Sequence, residues 1–317
     1  MSLAQPVPPI EAPIAPEVPK GTSKATGRGG WLVKLAVLLI VILWVIPAAG
    51  VLITSVRPEA NVDASGWWTV LPRLFDTSQW TFDNYRLALD AQGFANAFLN
   101  SLAVAIPATV MPITIAAFAA YAFSWMKFPG RYTMFVIVVG LMVVPLQMAL
   151  IPILRLYANG GVLGPFQMFP DIDLNGTFLG MWLAHTGFGL PLATYLLRNY
   201  IGALPSEIIE SAKIDGADHF TIFWRLIVPL SVPALAAFAI FQFLWVWNDL
   251  LVAYVFLGGT QETRVLTIAL ANLVGSQGEN WHLLTAAAFI SMSLPLIVFF
   301  SLQKYFVRGL TAGSVKG

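Results

Sequence analysis

Residues 205–229 read Pro-Ser-Glu-Ile-Ile-Glu-Ser-Ala-Lys-Ile-Asp-Gly-Ala-Asp-His-Phe-Thr-Ile-Phe-Trp-Arg-Leu-Ile-Val-Pro, a polar segment set between two long apolar stretches. Pro205 followed by Ser206 is a helix-start signal: the Ser206 hydroxyl can cap free backbone N–H groups, and Glu207 and Glu210 sit where the helix dipole favours negative charge. The pattern predicts a short helix over about Glu207–Ile214. Glu207, Glu210, Ser211 and Ile214 then lie along one side at i, i+3, i+4 and i+7, with Ile208 and Ala212 as a neighbouring apolar strip. Asp215-Gly216 reads as a break, because glycine accepts the left-handed backbone that ends helices. A second helix from about Asp218 carries Trp224 and Arg225 at headgroup depth and enters the bilayer at Pro229. The segment is a helical bracket lying along a membrane surface.

The rest of the chain supplies the membrane. Of its 317 residues 58% are hydrophobic and only 10% charged, with mean hydropathy +0.76, against about a quarter charged in a soluble domain. Spanning about 30 Å of hydrocarbon takes about 20 apolar residues. The qualifying stretches are Leu32–Ile53, Ala97–Trp125, Tyr132–Leu154, Phe178–Leu197, Val228–Leu257 and Leu283–Leu302. An all-α membrane protein of about six transmembrane helices is expected. There are no cysteines, which removes thiolate and disulfide chemistry, and His185, His219 and His282 are too scattered for metal-ligand spacing.

Residues 1–30 are rich in proline and then in Lys, Gly, Ser and Thr. That composition predicts a disordered cytoplasmic tail before a retained first span. With the N-terminus cytoplasmic, Lys20, Lys24, Arg28, Lys34, Lys127, Arg131, Arg198, Lys213, Arg225, Lys304, Arg308 and Lys316 fall inside. Arg57, Arg73, Arg86, Arg155 and Arg264 fall outside, which obeys the positive-inside rule. Both termini and the bracket are then cytoplasmic. Residues 31–305 form the membrane domain, with an outer loop at 57–96 and the cytoplasmic bracket loop at 201–227. Residues 306–317 form a polar tail, too rich in glycine to make a firm helix alone. The outer loop holds Trp67, Trp68, Trp80 and Tyr85 among charges, which suits interfacial anchoring or the docking of a partner.

By itself the bracket is either an interfacial amphipathic helix without a partner or a docking element. Glu210-Ser211-Ala212, then Asp215-Gly216-Ala217, then Leu226-Ile227-Val228-Pro229 with nine residues between Gly216 and Leu226, resembles the Glu-Ala-Ala…Gly…Ile-x-Leu-Pro loop of bacterial ATP-binding-cassette importer permeases. Here Ser replaces the first Ala, Leu replaces Ile, and Val replaces Leu. Trp247-Asn248-Asp249 and the tail Gln303–Gly317 resemble the carbohydrate branch, in particular the smaller permease subunit of the maltose type, and Trp67-Trp68 with Ser55-Val56-Arg57-Pro58 upstream resembles α-glucoside-type members. The resemblance implies the type I permease fold in a bacterial or archaeal inner or plasma membrane.

Its other implications concern function. The chain would form half of the translocation pathway of an ATP-driven, binding-protein-dependent sugar importer. Glu207, Glu210, Ser211, Ala212, Asp215, Gly216 and Ala217 would meet an ATPase subunit, and Arg308, Gly309 and Lys316 would contact the ATPase dimer from the tail. Gly275, Ser276, Gln277, Gly278 and Glu279 would reach toward an extracytoplasmic sugar-binding protein. A second permease subunit would complete the pathway. No Gly-x-x-x-x-Gly-Lys-Ser/Thr loop occurs in the sequence, so no cofactor is expected here, and ATP with Mg is expected on the partner ATPase; no nucleic-acid partner is expected.

Polar and aromatic groups in the spans are candidates for the path itself. Trp245 and Trp247 can stack on a sugar face or only pack. Asn248, Asp249 and Gln242 are polar groups in or near an apolar span; Asp249, near the outer surface, suits a solvated or helix-breaking role as well as sugar contact, and His185 suits packing or a place on the path. A stand-alone secondary transporter or channel would show an internal repeat with interrupted helices, and a membrane-embedded enzyme would show a cluster of nucleophile, base or metal ligands. Neither signal is present in the sequence.

Overall fold

In the computed structural model, residues 29–163, 166–170, 173–273 and 280–312 are described. The chain divides into two compact units, Met1–Ala49 and Gly50–Gly317. The described part of the first consists of most of α1 (Gly29–Ser55), whose leucines, valines and isoleucines occupy every face. A helix apolar all round is one that meets hydrocarbon.

The second unit begins with a connection made of α2 (Glu59–Ala64), a 3-10 segment over Trp67–Arg73 and α3 (Asp83–Asp90). It is built around Arg57, counted above as an outer basic residue and in fact buried. The Arg57 guanidinium donates to the Ser65 carbonyl at 3.0 Å and to the Asn61 carbonyl at 2.8 Å. Asn84 Nδ2 donates to the carbonyls of Ser55 and Arg57. These bonds replace the hydration that burying a guanidinium and its neighbouring carbonyls removes. Trp68, Leu71 and Phe75 remain exposed on the outside of this connection.

The bundle follows. Its long members are α4 (Phe94–Trp125), α7 (Phe178–Gly202), α10 (Val228–Trp247) and α13 (Trp281–Ala312). Helix α4 buries a strip of small residues, among them Ala97, Ser101, Ala105, Ala108 and Ala116, and α7 answers with Gly180, Ala184, Gly189 and Ala193. Small residues let two backbones approach closely where no water drives association.

Four helices among the described residues are long and apolar enough to cross a bilayer, and a fifth if one bent pair counts as a single span. That pair corrects the expectation that Tyr132–Leu154 is one continuous helix. It is α5 (Arg131–Gly140) and α6 (Leu146–Asn159), bent by 106°. Pro145 lacks an N–H and drives Val144 to extended backbone, at φ −71° and ψ 117°, so the helix stops and restarts in a new direction. Helix α7 has 25 residues, enough for about 37 Å at 1.5 Å each. Its buried face includes Gly180, His185, Thr186, Gly189 and Thr194, which lower its hydropathy.

Two further elements were not expected. Gly161–Leu163 (β1) and Phe166–Phe169 (β2) pair antiparallel in a small hairpin. The predicted span Val228–Leu257 ends early, at Trp247, and its last part is a separate helix, α11 (Leu251–Leu257), followed by α12 (Leu266–Leu273). The final helix runs to Ala312. Residues 306–312 therefore continue a helix already nucleated, which costs far less than starting one, and Gly309 is carried as a single unfavourable step.

Candidate functional site

The bracket forms as a helix, a tight turn and a second helix. Helix α8 runs Ser206–Ile214, and the N-cap position is Pro205, without a side-chain cap. Ser206 is thus the first helical residue and not the cap that the sequence suggested: extended Pro205, at φ −58° and ψ 129°, already occupies the position that turns into the helix.

The far end is closed by hydrogen bonds from Gly216 N to the Lys213 carbonyl at 3.1 Å and from Ala217 N to the Ala212 carbonyl at 2.9 Å. Together they make a Schellman ending, with Gly216 at φ +82°. The next helix, α9 (His219–Ile222), is capped by the Asp218 carboxylate, which accepts from Thr221 N at 2.8 Å. Hydrogen bonds from Thr221 hold the Asp218 carboxyl below the usual carboxylate range. Through a π turn over Phe223–Ile227, α9 runs on into α10. Pro229 sets that turn: its ring cannot accommodate the Arg225 carbonyl four residues back, and the backbone widens before it.

The bracket is seated by one apolar side chain and one polar bond. Ile209 is 2% exposed and packs with Leu197, Ile201, Ile222 and Phe223. Ala212 and Ala217 lie against the same cluster. The buried strip is therefore Ile209 with Ala212, whereas Ile208 stays exposed. Tyr121 Oη at the end of α4 lies 2.8 Å from His219 Nδ1. The Tyr121 ring also meets Phe223 edge on, and Phe118 stacks on Phe223 with centroids 4.4 Å apart. Trp125 Nε1 donates to the Ile201 carbonyl, tying the ends of α4 and α7 beneath the bracket.

Its outer face is presented to the surroundings. Glu207, Glu210, Ser211, Asp215 and Gly216 are exposed, Ile214 is 86% exposed and Phe220 67%. Carboxylates therefore stand beside bare apolar side chains on the exposed side of a seated helix.

The intramembrane candidates separate. Trp247 is buried, edge on to Phe98 and stacked on Phe243, and its Nε1 donates to the Ser291 carbonyl. Asn248 is exposed and bonds back to the Leu244 carbonyl at 2.7 Å. Asp249 breaks the helix and starts the next: its carboxylate accepts from Val252 N and Ala253 N, and its carbonyl accepts from Thr267 Oγ1. His185, fully buried, brings Nε2 to 3.8 Å from the Asp249 carboxylate and meets Trp245 edge on. Trp245 lines a cavity of about 570 Å³ at the α5–α6 bend together with Pro145, Gly187, Phe188 and Leu192. The same indole borders a smaller cavity of about 160 Å³ with Gln242.

Sequence reasoning did not find Ile209 or Tyr121 in these roles. Nothing local distinguishes Ile209 from Ile208, and the Tyr121–His219 bond joins residues 98 positions apart. Arg308 and Gly309 fall within α13, where only the backbone is described. Lys316 and the loop Gly275, Ser276, Gln277, Gly278, Glu279 lie outside the described residues.

Residues 101–312 match the family described as "Binding-protein-dependent transport system inner membrane component". The chain is 58% identical over 284 residues to an osmoprotective compounds uptake permease protein of Synechocystis sp., covering 90% of this chain and 91% of that one. It is 46% identical to an alpha-glucoside transport system permease protein of Rhizobium meliloti, covering 90% of this chain and 97% of that one. Its fold matches a chain in the crystal structure of a bacterial ABC transporter importing the acidic polysaccharide alginate. The TM-score is 0.70 at 20% identity, over 90% of this chain and 98% of the other.

Proposed function

The chain belongs to the family of binding-protein-dependent transport system inner membrane components, and from that premise we propose how it couples, what it assembles with and what it carries. It is a multi-pass permease subunit of an ABC sugar importer in the bacterial inner membrane, a transport subunit without its own ATPase site. The bracket docks on a separate ATPase subunit that binds ATP and Mg, and a second permease completes the pathway. An extracytoplasmic binding protein delivers the sugar. Both termini and the bracket face the cytoplasm. Residues 1–30 and 306–317 form its cytoplasmic tails, and Arg308, Gly309 and Lys316 approach the ATPase pair. The loop 275–279 reaches toward the binding protein, and the path runs beside Trp245, with Trp247, Asn248 and Asp249 shaping its outer end.

The observation that carries this reading is the exposed face of α8. Ile209 and the Schellman turn seat the helix, yet the side chains of Glu210, Ser211 and Ile214 stay exposed. A seated helix with a bare, mixed face is preorganised for a partner, because little entropy is lost when it docks. The α-glucoside relative suggests an α-glucoside cargo such as trehalose or maltose. The test is purification of the complex followed by reconstitution in vesicles. Co-purification of an ATPase subunit and ATP-dependent uptake of radiolabelled trehalose or maltose in the presence of the binding protein are expected. A chain that purifies without an ATPase, or an assembled complex inert to a panel of glucosides, overturns the reading.

A further inference from the structure

We propose that this subunit itself carries a pyranose-binding station inside the membrane, in which the ring stacks on Trp245 and a hydroxyl is read by the Gln242 amide. The inference rests on the sugar-importer reading above and adds where in this chain the sugar is held.

Three observations converge on the place. The first is the cavity of about 570 Å³ left where Pro145 breaks the α5–α6 span, a volume in the range of small-molecule sites. Interrupted helices line substrate sites in membrane transporters, because irregular backbone is tolerated there only beside a cavity or buried in protein. The second is aromatic. Phe188 and Trp245 border both this cavity and the adjoining one of about 160 Å³. The C–H groups of a pyranose ring carry partial positive charge, and the face of an indole carries negative charge, so the two attract when stacked.

The third is a polar group without a use. Gln242 is fully buried and lines the smaller cavity, and its Nε2 donates to the Ala108 carbonyl at 3.2 Å. Its Oε1 has no hydrogen-bond partner among the described residues. A buried acceptor left unpaired costs about 1–3 kcal/mol, and a hydroxyl donor from a sugar would recover it. The amide is held there by a glycine: a Cβ on Gly189 would come within 2.7 Å of both Gln242 Nε2 and Oε1. The buried His185 ring meets the Trp245 indole in a T-shaped contact, with centroids 5.7 Å apart.

The complete importer in vesicles, with binding protein and radiolabelled trehalose or maltose, tests the station. The chain has no cysteine, so Leu192→Cys, on the wall shared by both cavities, gives a single reactive thiol in this subunit. The transported sugar is expected to slow its modification by a small hydrophilic thiol reagent during turnover, and an equal concentration of a sugar that is not transported to leave it unchanged. Trp245→Ala and Gly189→Ala are each expected to lower the sugar taken up per ATP hydrolysed by about two- to tenfold. If the thiol introduced by Leu192→Cys is inert to the reagent, as it would be were lipid or the second permease to fill the cavity, the proposal is overturned. So it is by modification at the same rate with and without the sugar, or by a wild-type uptake ratio in both variants; each of these leaves the importer reading standing. Failure of the unmodified complex to take up any glucoside overturns both.

Discussion

Tyr121 Oη and His219 Nδ1 lie 2.8 Å apart, and this bond joins the end of α4 to the first residue of α9. It is a side-chain hydrogen bond from the bracket to a spanning helix, beside the apolar contact of Ile209. The bracket is therefore tied to α4 as well as along the chain to α10.

Removing that bond should loosen transmission without unfolding the bundle. Tyr121→Phe keeps the ring that packs on Phe223 and deletes one hydrogen bond, worth about 0.5–1.5 kcal/mol. Normal membrane levels are expected, with ATP hydrolysis less tightly tied to uptake. An unchanged ratio of sugar transported to ATP hydrolysed would show that the bond is only structural.

Glu210→Lys addresses docking itself. The side chain is exposed on α8, so the isolated subunit should fold and insert normally. If Glu210 meets a basic ATPase residue in a desolvated cleft, losing one partner of such a pair costs about 3–5 kcal/mol, and charge reversal costs more. Uptake should vanish and the ATPase should dissociate on purification. Transport at the wild-type rate with the ATPase still bound would sink the assignment.

At Gly216 the constraint is the backbone. The residue sits at φ +82°, and a Cβ there would meet nothing within 4 Å, so any penalty is conformational and not steric crowding. The left-handed region costs an L-residue about 1–2 kcal/mol, least for Asn. Gly216→Val should therefore depress transport while expression persists, and Gly216→Asn should recover much of it. Equal activity for glycine, asparagine and valine would place the turn at ordinary φ.

Asp218 gives the bracket a pH dependence. Hydrogen bonds from Thr221 depress its carboxyl below the reference value of 3.8. A depressed acid contributes stability that is present above its unfolded value and is lost as pH falls through the folded one. The cap of α9 should thus be fully formed at neutral pH and weaken only in strong acid. Asp218→Ala should weaken it at every pH, whereas Asp218→Asn should retain it and remove the acid limb. Hydrogen exchange at the amide of Thr221, followed against pH in the purified complex, reads this directly. Exchange there that is insensitive to both substitutions would count against the cap.

The sequence alone determined the class of this protein and the local form of its bracket. Long apolar stretches leave the backbone no partner but itself, so a helical bundle follows from composition. Asp215-Gly216 marks the helix end because the left-handed backbone there excludes most other residues at little distance from the turn. These are short-range effects, decided within a few positions of the chain.

Tertiary structure decided the rest. Whether Ile208 or Ile209 faces the core depends on which neighbour the helix meets, and that neighbour is Leu197 and Ile201 on another helix. Pro145 announces a break, but the 106° bend and the cavity it leaves depend on α7 and α10 packing beside it. Asp249 becomes a helix cap opposite His185, and Gln242 lies against the bare Cα of Gly189, only once three helices are brought together. Such pairs are separated by tens of residues and selected by shape and by the need to satisfy buried polar atoms, which no local pattern of residues encodes.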